Sequence, residues 1–340
     1  MTPRELVIKT LNHEPVPRVP RDLWISAGED SSRADELAEM NVRYPSDILT
    51  FEPAPLHGKH SHGKPGKAGD WTDAWGCVWH VGDEEAAAEP KTSPLADASR
   101  IASYRPPAEL LDHSRFARAS KICPTTNRFV LAWSDVRPFD RLQFLRGREA
   151  ALADLARGTK DTRSLLAMLH DFACKELELW AATEVDGVAF RDDWGSPDGL
   201  LVSSEIWRNV FRPMYRDYCK ILHAKDKFVF FHSEGDVSAV FGDLVKLDID
   251  AIHSQLRLMN IEHLAKRYRG RVTFWGEIDR QQLQNPGTAE EFRETVLTLR
   301  KALDFGRGGV IAQCTWDHGV RLQTVATFFE QWLVPLPMHG

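Results

Sequence analysis

The chain has 340 residues, of which 43% are hydrophobic and 27% are charged, so it can bury a large globular core. A formal net charge of −6, with no basic stripe interleaved with aromatic residues, argues against a nucleic-acid partner. The sequence contains no apolar stretch of membrane-spanning length and no segment that resembles a signal peptide. Its five cysteines are scattered without a C-x-x-C pair, which suits a reducing compartment, so we expect a cytoplasmic protein without a membrane partner.

The first third of the chain predicts one helix, two strands and a long connection. Thr2, Pro3 and Glu5 form a capping box with proline at the first helical position, so a helix starts there and ends before Pro15. Strands are predicted at residues 21–25 and 47–51. The segment 52–121 has no long periodic pattern, although it predicts a hairpin at 71–81. Because so long a connection is usually a lid or substrate loop, we expect it to cover a binding site.

From residue 128 onward, predicted strands and helices alternate. The strands are 129–133, 187–190, 228–232, 250–253, 272–275 and 309–314, and the main helices are 138–146, 148–183, 203–224, 237–246, 261–268, 289–303 and 320–332. With the two earlier strands, this order predicts a parallel α/β sheet with right-handed crossovers. A closed (β/α)8 TIM barrel formed by residues 1–340 as one domain, with 52–121 inserted after the second strand, is the simplest architecture. An open doubly wound sheet is the alternative, but no G-x-G-x-x-G follows any strand.

The most informative stretch is residues 227–236 (KFVFFHSEGD), which predicts a strand buried on both faces that ends in polar residues. His232 and Glu234 are two positions apart, so in an extended chain their side chains point the same way. An imidazole and a carboxylate arranged in this way are two ligands of a metal site, or a base with its orienting partner. A strand-end histidine beside a solvated glutamate is the structural alternative.

Polar or aromatic residues end most of the other predicted strands as well. They are Trp24, Asp47, Trp133, Arg191, Asp192, Asp193, Trp194, His253, Glu277 and Cys314. Catalytic groups of such barrels come from the carboxyl ends of several strands, so the pattern predicts one polar mouth with an aromatic wall. Three of these residues have structural alternatives: Asp192 and Asp193 could cap the next turn. Cys314 could be a small buried apolar residue.

Several of these segments resemble the uroporphyrinogen decarboxylase superfamily. Residues 11–20 (LNHEPVPRVP) are similar to its opening, and residues 192–195 (DDWG), 231–235 (FHSEG) and 273–279 (TFWGEID) are similar to later blocks. The resemblance extends over nearly the whole chain apart from 52–121. It implies a TIM barrel and two alternative chemistries.

The decarboxylase branch of that superfamily carries an N-terminal R-Q-A-G-R segment that holds the propionates of the porphyrin. The corresponding residues 25–29 (ISAGE) contain no arginine, and substrate carboxylates without cationic partners are costly to bind. Residues 46–49 (SDIL) resemble part of the F-S-D-I-L motif, which implies a catalytic role for Asp47, and His318 resembles the late histidine of the family. Decarboxylation of a porphyrinogen or another carboxylated substrate is therefore the alternative function.

The other branch contains zinc-dependent methyltransferases that work with corrinoid proteins and bind zinc through an H-x-C motif and a distant cysteine. Here Glu234 replaces the cysteine of that motif, and Cys314 ends the eighth predicted strand. The resemblance implies one Zn²⁺ bound by His232, Glu234 and Cys314 with a fourth position open. Glu277 could be a fourth ligand or a general acid, and Glu234 could instead be a base beside a metal-free His232.

The replacement of cysteine by glutamate makes the implied metal centre harder, which suits polarisation of an ether oxygen more than activation of a thiol. We therefore predict zinc-dependent methyl transfer from a small methylated donor, such as a methyl ether, to a corrinoid protein or similar acceptor. A non-catalytic binding protein on the same fold is the third alternative. The remaining predicted residues are assigned by role: Asp47, Glu277 and Asp193 as catalytic, and Trp24, Trp133, Arg191, Asp192, Trp194, His253 and His318 as substrate-binding.

Overall fold

The computed structural model describes residues 1–25, 33–54, 58–65, 67–82, 88–276, 278 and 280–334. Its strands are β1 (Arg21–Ile25), β2 (Ile48–Phe51), β3 (Gly69–Thr72), β4 (Val78–Val81), β5 (Glu89–Thr92), β6 (Phe129–Trp133), β7 (Gly187–Arg191), β8 (Gly195–Ser196), β9 (Gly199–Leu200), β10 (Phe228–Ser233), β11 (Ala251–Ser254), β12 (Thr273–Trp275) and β13 (Val310–Trp316).

The helices of the same residues surround these strands. They are α1 (Pro3–Leu11), α2 (Ala34–Arg43), α3 (Arg118–Ile122), α4 (Pro138–Arg146), α5 (Arg148–Arg157), α6 (Lys160–Ala181), α7 (Ser204–Ile206), α8 (Arg212–His223), α9 (Ser238–Val245), α10 (Ile261–Tyr268), α11 (Arg280–Gln284), α12 (Ala289–Leu303) and α13 (Leu322–Leu333). A π-helical turn, Trp207–Phe211, joins α7 to α8. No helix in the described part of the chain has the length and apolar character needed to cross a membrane.

Eight of the strands form one parallel sheet in the order β1-β13-β12-β11-β10-β7-β6-β2. Its two end strands approach each other at their amino ends, where the Asp47 N–H donates to the Arg21 carbonyl over 2.9 Å. Helices follow the strands around this nearly closed ring. The predicted (β/α)8 barrel is therefore confirmed.

Alternate residues of each barrel strand belong to two separate apolar layers. The inner layer contains Ile48, Phe129, Leu131, Ala189, Phe230, Ala251, Trp275 and Ile311, and their sequence neighbours pack outward against the helices. Val7 and Leu11 of α1 join the inner layer. Because α1 also bonds to residues just before β6 and β13, it closes the amino end of the barrel and leaves the carboxyl end for a site.

Most predicted elements are confirmed within a few residues, but one helix is not continuous. The prediction of a single helix over 148–183 is wrong, because Gly158 adopts the left-handed conformation (φ 59°) between α5 and α6. Thr159 then caps α6 by accepting from the Thr162 N–H. Helix α2 was not predicted, since Met40 is its one buried residue and its apolar pattern is correspondingly weak.

The inserted segment 52–121 contains an antiparallel sheet of β3, β4 and β5. The hairpin predicted at 71–81 is confirmed, whereas β5 was not predicted because its sequence, EPKT, is polar and contains proline. Trp75 packs edge-on against Phe172 of α6, with ring centroids 4.8 Å apart. The segment is thereby fixed on the side of the barrel that carries β6 and α4.

Candidate active site

Two buried histidines face each other at the carboxyl ends of adjacent strands. His232 is the last inward residue of β10 and pairs in register with His253 of β11. Their Nδ1 atoms are 2.8 Å apart, so one ring donates and the other accepts. Burial lowers the pKa of His232 to about 4, with a further lowering by the Arg137 charge, and burial also holds the pKa of His253 well below its usual value. Both imidazoles are therefore neutral at neutral pH.

A side-chain amide sets the tautomers of this pair. Gln313 Oε1 is 3.0 Å from His253 Nε2, while Gln313 Nε2 donates to Thr315 Oγ1 over 3.2 Å. With the amide in this orientation, His253 donates from Nε2 and accepts at Nδ1 from His232. His232 therefore carries its proton on Nδ1, and its Nε2 presents a lone pair to the mouth.

Two carboxylates stand beside that lone pair. His232 Nε2 is 3.6 Å from Glu234 Oε1 and 3.7 Å from Asp193 Oδ1, both beyond hydrogen-bond distance. Asp193 Oδ1 accepts from the Glu234 N–H over 3.0 Å, which fixes its position. Both side chains are close to half exposed, so solvent screens their charges and burial dominates the pKa of His232. His232 Nε2 and the two carboxylates can together bind a hydrogen-bond donor or a positively charged group.

Three tryptophans form a wall beside the histidine pair. Trp24 stacks on His253 with ring centroids 4.5 Å apart, and Trp133 stacks on Trp275 at 5.6 Å. The Asp22 carboxylate accepts from the indole N–H groups of both Trp24 and Trp275 over 2.8 Å. Burial raises the pKa of Asp22 to about 6. Asp22 thus anchors an apolar surface suited to an organic ligand.

A cavity of about 570 Å³ adjoins this wall. Its lining comes from the insertion, including Trp71 and Trp79, and from the barrel mouth, including Trp133 and Arg191. The Trp133 ring is 6.2 Å from the His232 ring between centroids, so the cavity and the histidine pair share this indole. Closure of the insertion over a ligand stays a prediction.

The structure brings together several residues that the sequence predicted for the site. Those at the mouth are Trp24, Trp133, Arg191, Asp193, His232, Glu234 and His253. His318 follows β13 and is exposed, and its backbone carbonyl accepts from Gln284. Glu277 lies outside the described residues.

Asp47 lies at the opposite end of the barrel, just before β2. Its carboxylate accepts from Arg18 in a bidentate pair at 2.6 and 2.7 Å and from the Arg21 N–H at 2.8 Å. It is 1% exposed, so it is a structural link between the starts of two strands. The structure therefore contradicts the predicted catalytic role of Asp47 at the mouth.

Asp192 and Trp194 support the helix after β6 and do not face a ligand. Asp192 is fully buried and accepts from the Phe139 and Asp140 N–H groups at 3.0 and 2.9 Å, where α4 begins. Trp194 stacks on Phe139 at 4.0 Å and donates to Tyr215 Oη over 2.8 Å. The predicted substrate contacts of these two residues are therefore corrected to a structural role, because both side chains lie outside the barrel interior.

Cys314 lies on the outer face of β13. Ile311 belongs to the inner layer, whereas Ala312, Cys314 and Trp316 pack with the helices. Burial raises the pKa of the Cys314 thiol well above its usual value, so the thiol is protonated. In the part of the chain that the structure describes, no three His, Cys, Asp or Glu side chains are arranged to hold a metal ion. The positions of His232, Glu234 and Cys314 therefore do not fit the predicted zinc site.

Sequence reasoning did not assign three residues that organise the site: Gln313, Asp22 and Arg137. The alternation of β13 contained the signal for the first, because inward Ile311 implies that Gln313 and Thr315 also point inward. The same alternation places Cys314 on the outward face of β13 and so excludes it from the site. Asp22 lies two positions before Trp24 on one strand face, which was a weaker signal of the same kind.

Comparison with known proteins gives the family. No curated protein matches the chain by sequence. Among solved structures, a methyltransferase from Methanosarcina mazei is 14% identical with a TM-score of 0.71, covering 98% of each chain, which shows a shared fold. An endo-beta-1,4-xylanase from Gloeophyllum trabeum is 7% identical with a TM-score of 0.49, covering 96% of this chain and 99% of its own. The model of the uroporphyrinogen decarboxylase (URO-D) family matches residues 91–330, more than half of the chain. The chain belongs to the uroporphyrinogen decarboxylase family.

Proposed function

We propose that this protein transfers a methyl group from a small methylated donor, such as a methyl ether, to a corrinoid protein or similar acceptor. The observation that carries the proposal is the unprotonated Nε2 of His232, aimed into a mouth with two carboxylates and a tryptophan wall. Negative charge beside His232 disfavours a substrate with several carboxylates there. The similarity in fold to a protein described as a methyltransferase supports the same function.

The side chains of the mouth contribute mainly by positioning. Displacement at a methyl carbon requires the acceptor, the carbon and the leaving atom to lie in line, so an oriented donor reacts faster. Trp24 and Trp133 pack against the donor and exclude water from it. The bond between the methyl carbon and the ether oxygen breaks as the acceptor bonds to the carbon, and the leaving oxygen takes the bonding electrons and a proton from water. His232 Nε2 accepts a hydrogen bond from that water, and the tautomer set by His253 and Gln313 keeps this atom available.

Zinc binding stays a prediction, but we no longer expect Cys314 to be one of the ligands. A bound zinc ion would supply Lewis-acid polarisation of the donor oxygen. His232 and Glu234 face one another at the mouth, but Cys314 does not join them, so no step is assigned to the metal. We expect Cys314→Ser to leave the metal content of the purified protein unchanged. Loss of bound zinc in that variant, with its fold intact by circular dichroism, would restore the original ligand set.

The proposed function is tested by following the methyl group itself. The protein is mixed with methoxybenzene or 4-methoxybenzoate and free cob(I)alamin, and methylcobalamin is measured by absorbance. We expect His232→Ala to lower the rate by about 100-fold or more, because the positioned imidazole is lost. The matched control is His263→Ala, an exposed residue of α10. Methylcobalamin formation that is equal in all three proteins, or absent from the wild type with both donors, would contradict the proposal.

Decarboxylation is the second candidate, and one observation favours it. Arg191 forms no ion pair with a carboxylate among the described residues, so it can hold a carboxylated substrate. The position of Asp47 at the amino end counts against it, since the resemblance assigned that residue to the reaction. Release of CO2 from a carboxylated substrate that keeps its methyl groups would show that the function is decarboxylation and not methyl transfer. Binding without either product would leave the non-catalytic alternative.

A further inference from the structure

We infer that the cavity between the insertion and the barrel mouth binds an aromatic carboxylate, with Arg191 holding its acid group and tryptophans enclosing its ring. The inference deepens the proposed function, because it names the class of methylated donor. The binding site itself depends on the geometry of the cavity and its lining and not on the reaction.

Arg191 is a cation without a carboxylate partner among the described residues. It ends β7 beside His232 in register, and its guanidinium carbon lies 5.8 Å from the centre of the Trp133 ring. Its Nε atom is shielded from solvent and has no hydrogen-bond acceptor. No ion pair joins it to a carboxylate of the described residues. A shielded guanidinium N–H without an acceptor is unfavourable, and a ligand carboxylate would satisfy it with charge-assisted hydrogen bonds.

The other arginines of the cavity have partners for their side chains, although the Nε atoms of Arg137 and Arg141 also lack an acceptor. Arg141 lies 2.9 Å from Asp135 and 3.5 Å from Asp73, and Arg137 lies 3.3 Å from Asp135. Arg115 donates to backbone carbonyls. Glu52, the remaining acidic residue of the lining, is exposed to solvent. Among the described residues, Arg191 is therefore the arginine of this lining whose side chain neither pairs with a carboxylate nor donates to a backbone carbonyl, which suits a ligand with one carboxylate.

The walls of the cavity are aromatic. Trp71 and Trp79 stack with ring centroids 5.9 Å apart and planes inclined by 16°, and Phe144 packs edge-on against Trp79 at 4.8 Å. Trp133 completes the lining on the barrel side. Planar rings pack favourably against such surfaces, and the volume of about 570 Å³ is within the range of small-molecule sites. An aliphatic acid would use less of this surface.

One residue connects the cavity to the histidine pair. Trp133 lies under the Arg191 guanidinium and against His232, so a ligand ring on Trp133 reaches both groups. A carboxylate at Arg191 therefore leaves the other substituents of the ring available to His232. This arrangement suits a ring that carries an acid group and a separate methyl ether.

Binding of three probes without any methyl acceptor tests the inference. The probes are 4-methoxybenzoate, methoxybenzene and 4-methoxycyclohexanecarboxylate, measured by tryptophan fluorescence and calorimetry. We expect 4-methoxybenzoate to bind the wild type about tenfold or more tightly than either of the others. Arg191→Met should abolish the preference for 4-methoxybenzoate over methoxybenzene, and Arg191→Lys should retain part of that preference. The matched control is Arg293→Met, on the exposed side of α12, which should keep it in full.

Equal binding of the three probes by the wild type overturns the inference without any variant. A preference for benzoate that survives in correctly folded Arg191→Met also overturns it. Because the binding experiment contains no methyl acceptor, its outcome does not depend on whether the protein transfers a methyl group. Selective binding without methyl transfer contradicts only the function, and transfer from methoxybenzene without a carboxylate preference contradicts only this inference.

Discussion

The inner and outer faces of the same barrel strands carry polar residues with opposite roles. Inward polar residues of β7, β10 and β13 are Arg191, His232 and Gln313, and the residues that follow each of them and point outward are Asp192, Ser233 and Cys314. The inward set forms the mouth. The outward set is fully buried, and its members hold the crossover segments or fill the outer layer. A polar residue at a strand end therefore belongs to the site only when its register directs it inward.

The largest effect on stability is expected on the outer face, from Asp192→Ala. The substitution leaves the buried N–H groups of Phe139 and Asp140 and the hydroxyl of Tyr215 without their acceptor. We expect the free energy of unfolding to fall by about 3 kcal/mol or more. Urea denaturation measures it, with Asp193→Ala, next along the chain and half-exposed, as the control that should change stability by less than about 1 kcal/mol. Equal losses in the two variants would remove the distinction between the faces.

A pH dependence is expected on the inner face. His232 has a pKa of about 4 in the folded protein against an ordinary value of 6.5, so the unfolded chain binds a proton first as the pH falls. Its contribution to stability is complete above pH 6.5 and is lost as the pH falls toward 4, by about 3 kcal/mol in total. His232→Asn lacks this titration. The free energies of unfolding of the wild type and the variant, measured at pH 7, 6 and 5, should therefore approach each other as the pH falls. A difference that stays the same at all three pH values would contradict a neutral, buried His232.

The smallest effect comes from neighbouring residues of β13. Gln313→Leu removes the acceptor of His253 Nε2, so the tautomer of His232 is no longer fixed, and we expect methyl transfer to fall by about tenfold. Cys314→Ser, on the other face, should leave the rate within about twofold. The pH profile of the rate provides the further readout, because it should shift in Gln313→Leu and not in Cys314→Ser. The reverse ranking would mean that the inward parity of β13 is misassigned.

Some of the site was predictable because it depends on local periodicity. His232 near the end of β10 and Glu234 just after that strand are two positions apart, and the His232 Nε2 and Glu234 Oε1 atoms are 3.6 Å apart. The alternation of apolar strands with amphipathic helices was sufficient to predict the barrel, because few architectures bury such elements in that order. Asp47 was misplaced because it stands just before the start of its strand, at the amino end, and was counted with residues that follow the carboxyl ends of other strands.

Sequence by itself determined the order of the elements, the barrel and the approach of His232 to Glu234, since each follows from periodicity or spacing along the chain. Only the tertiary structure decided which residues of different strands meet. The contact between His232 and His253 depends on the register of β10 against β11, and the buried position of Cys314 depends on which face of β13 turns inward. Arg191 lacks a carboxylate partner among the described residues for the same reason. Whether a charge finds a counter-charge depends on the packing of distant segments around it, and here that packing places the Trp133 ring against Arg191 in the wall of the cavity.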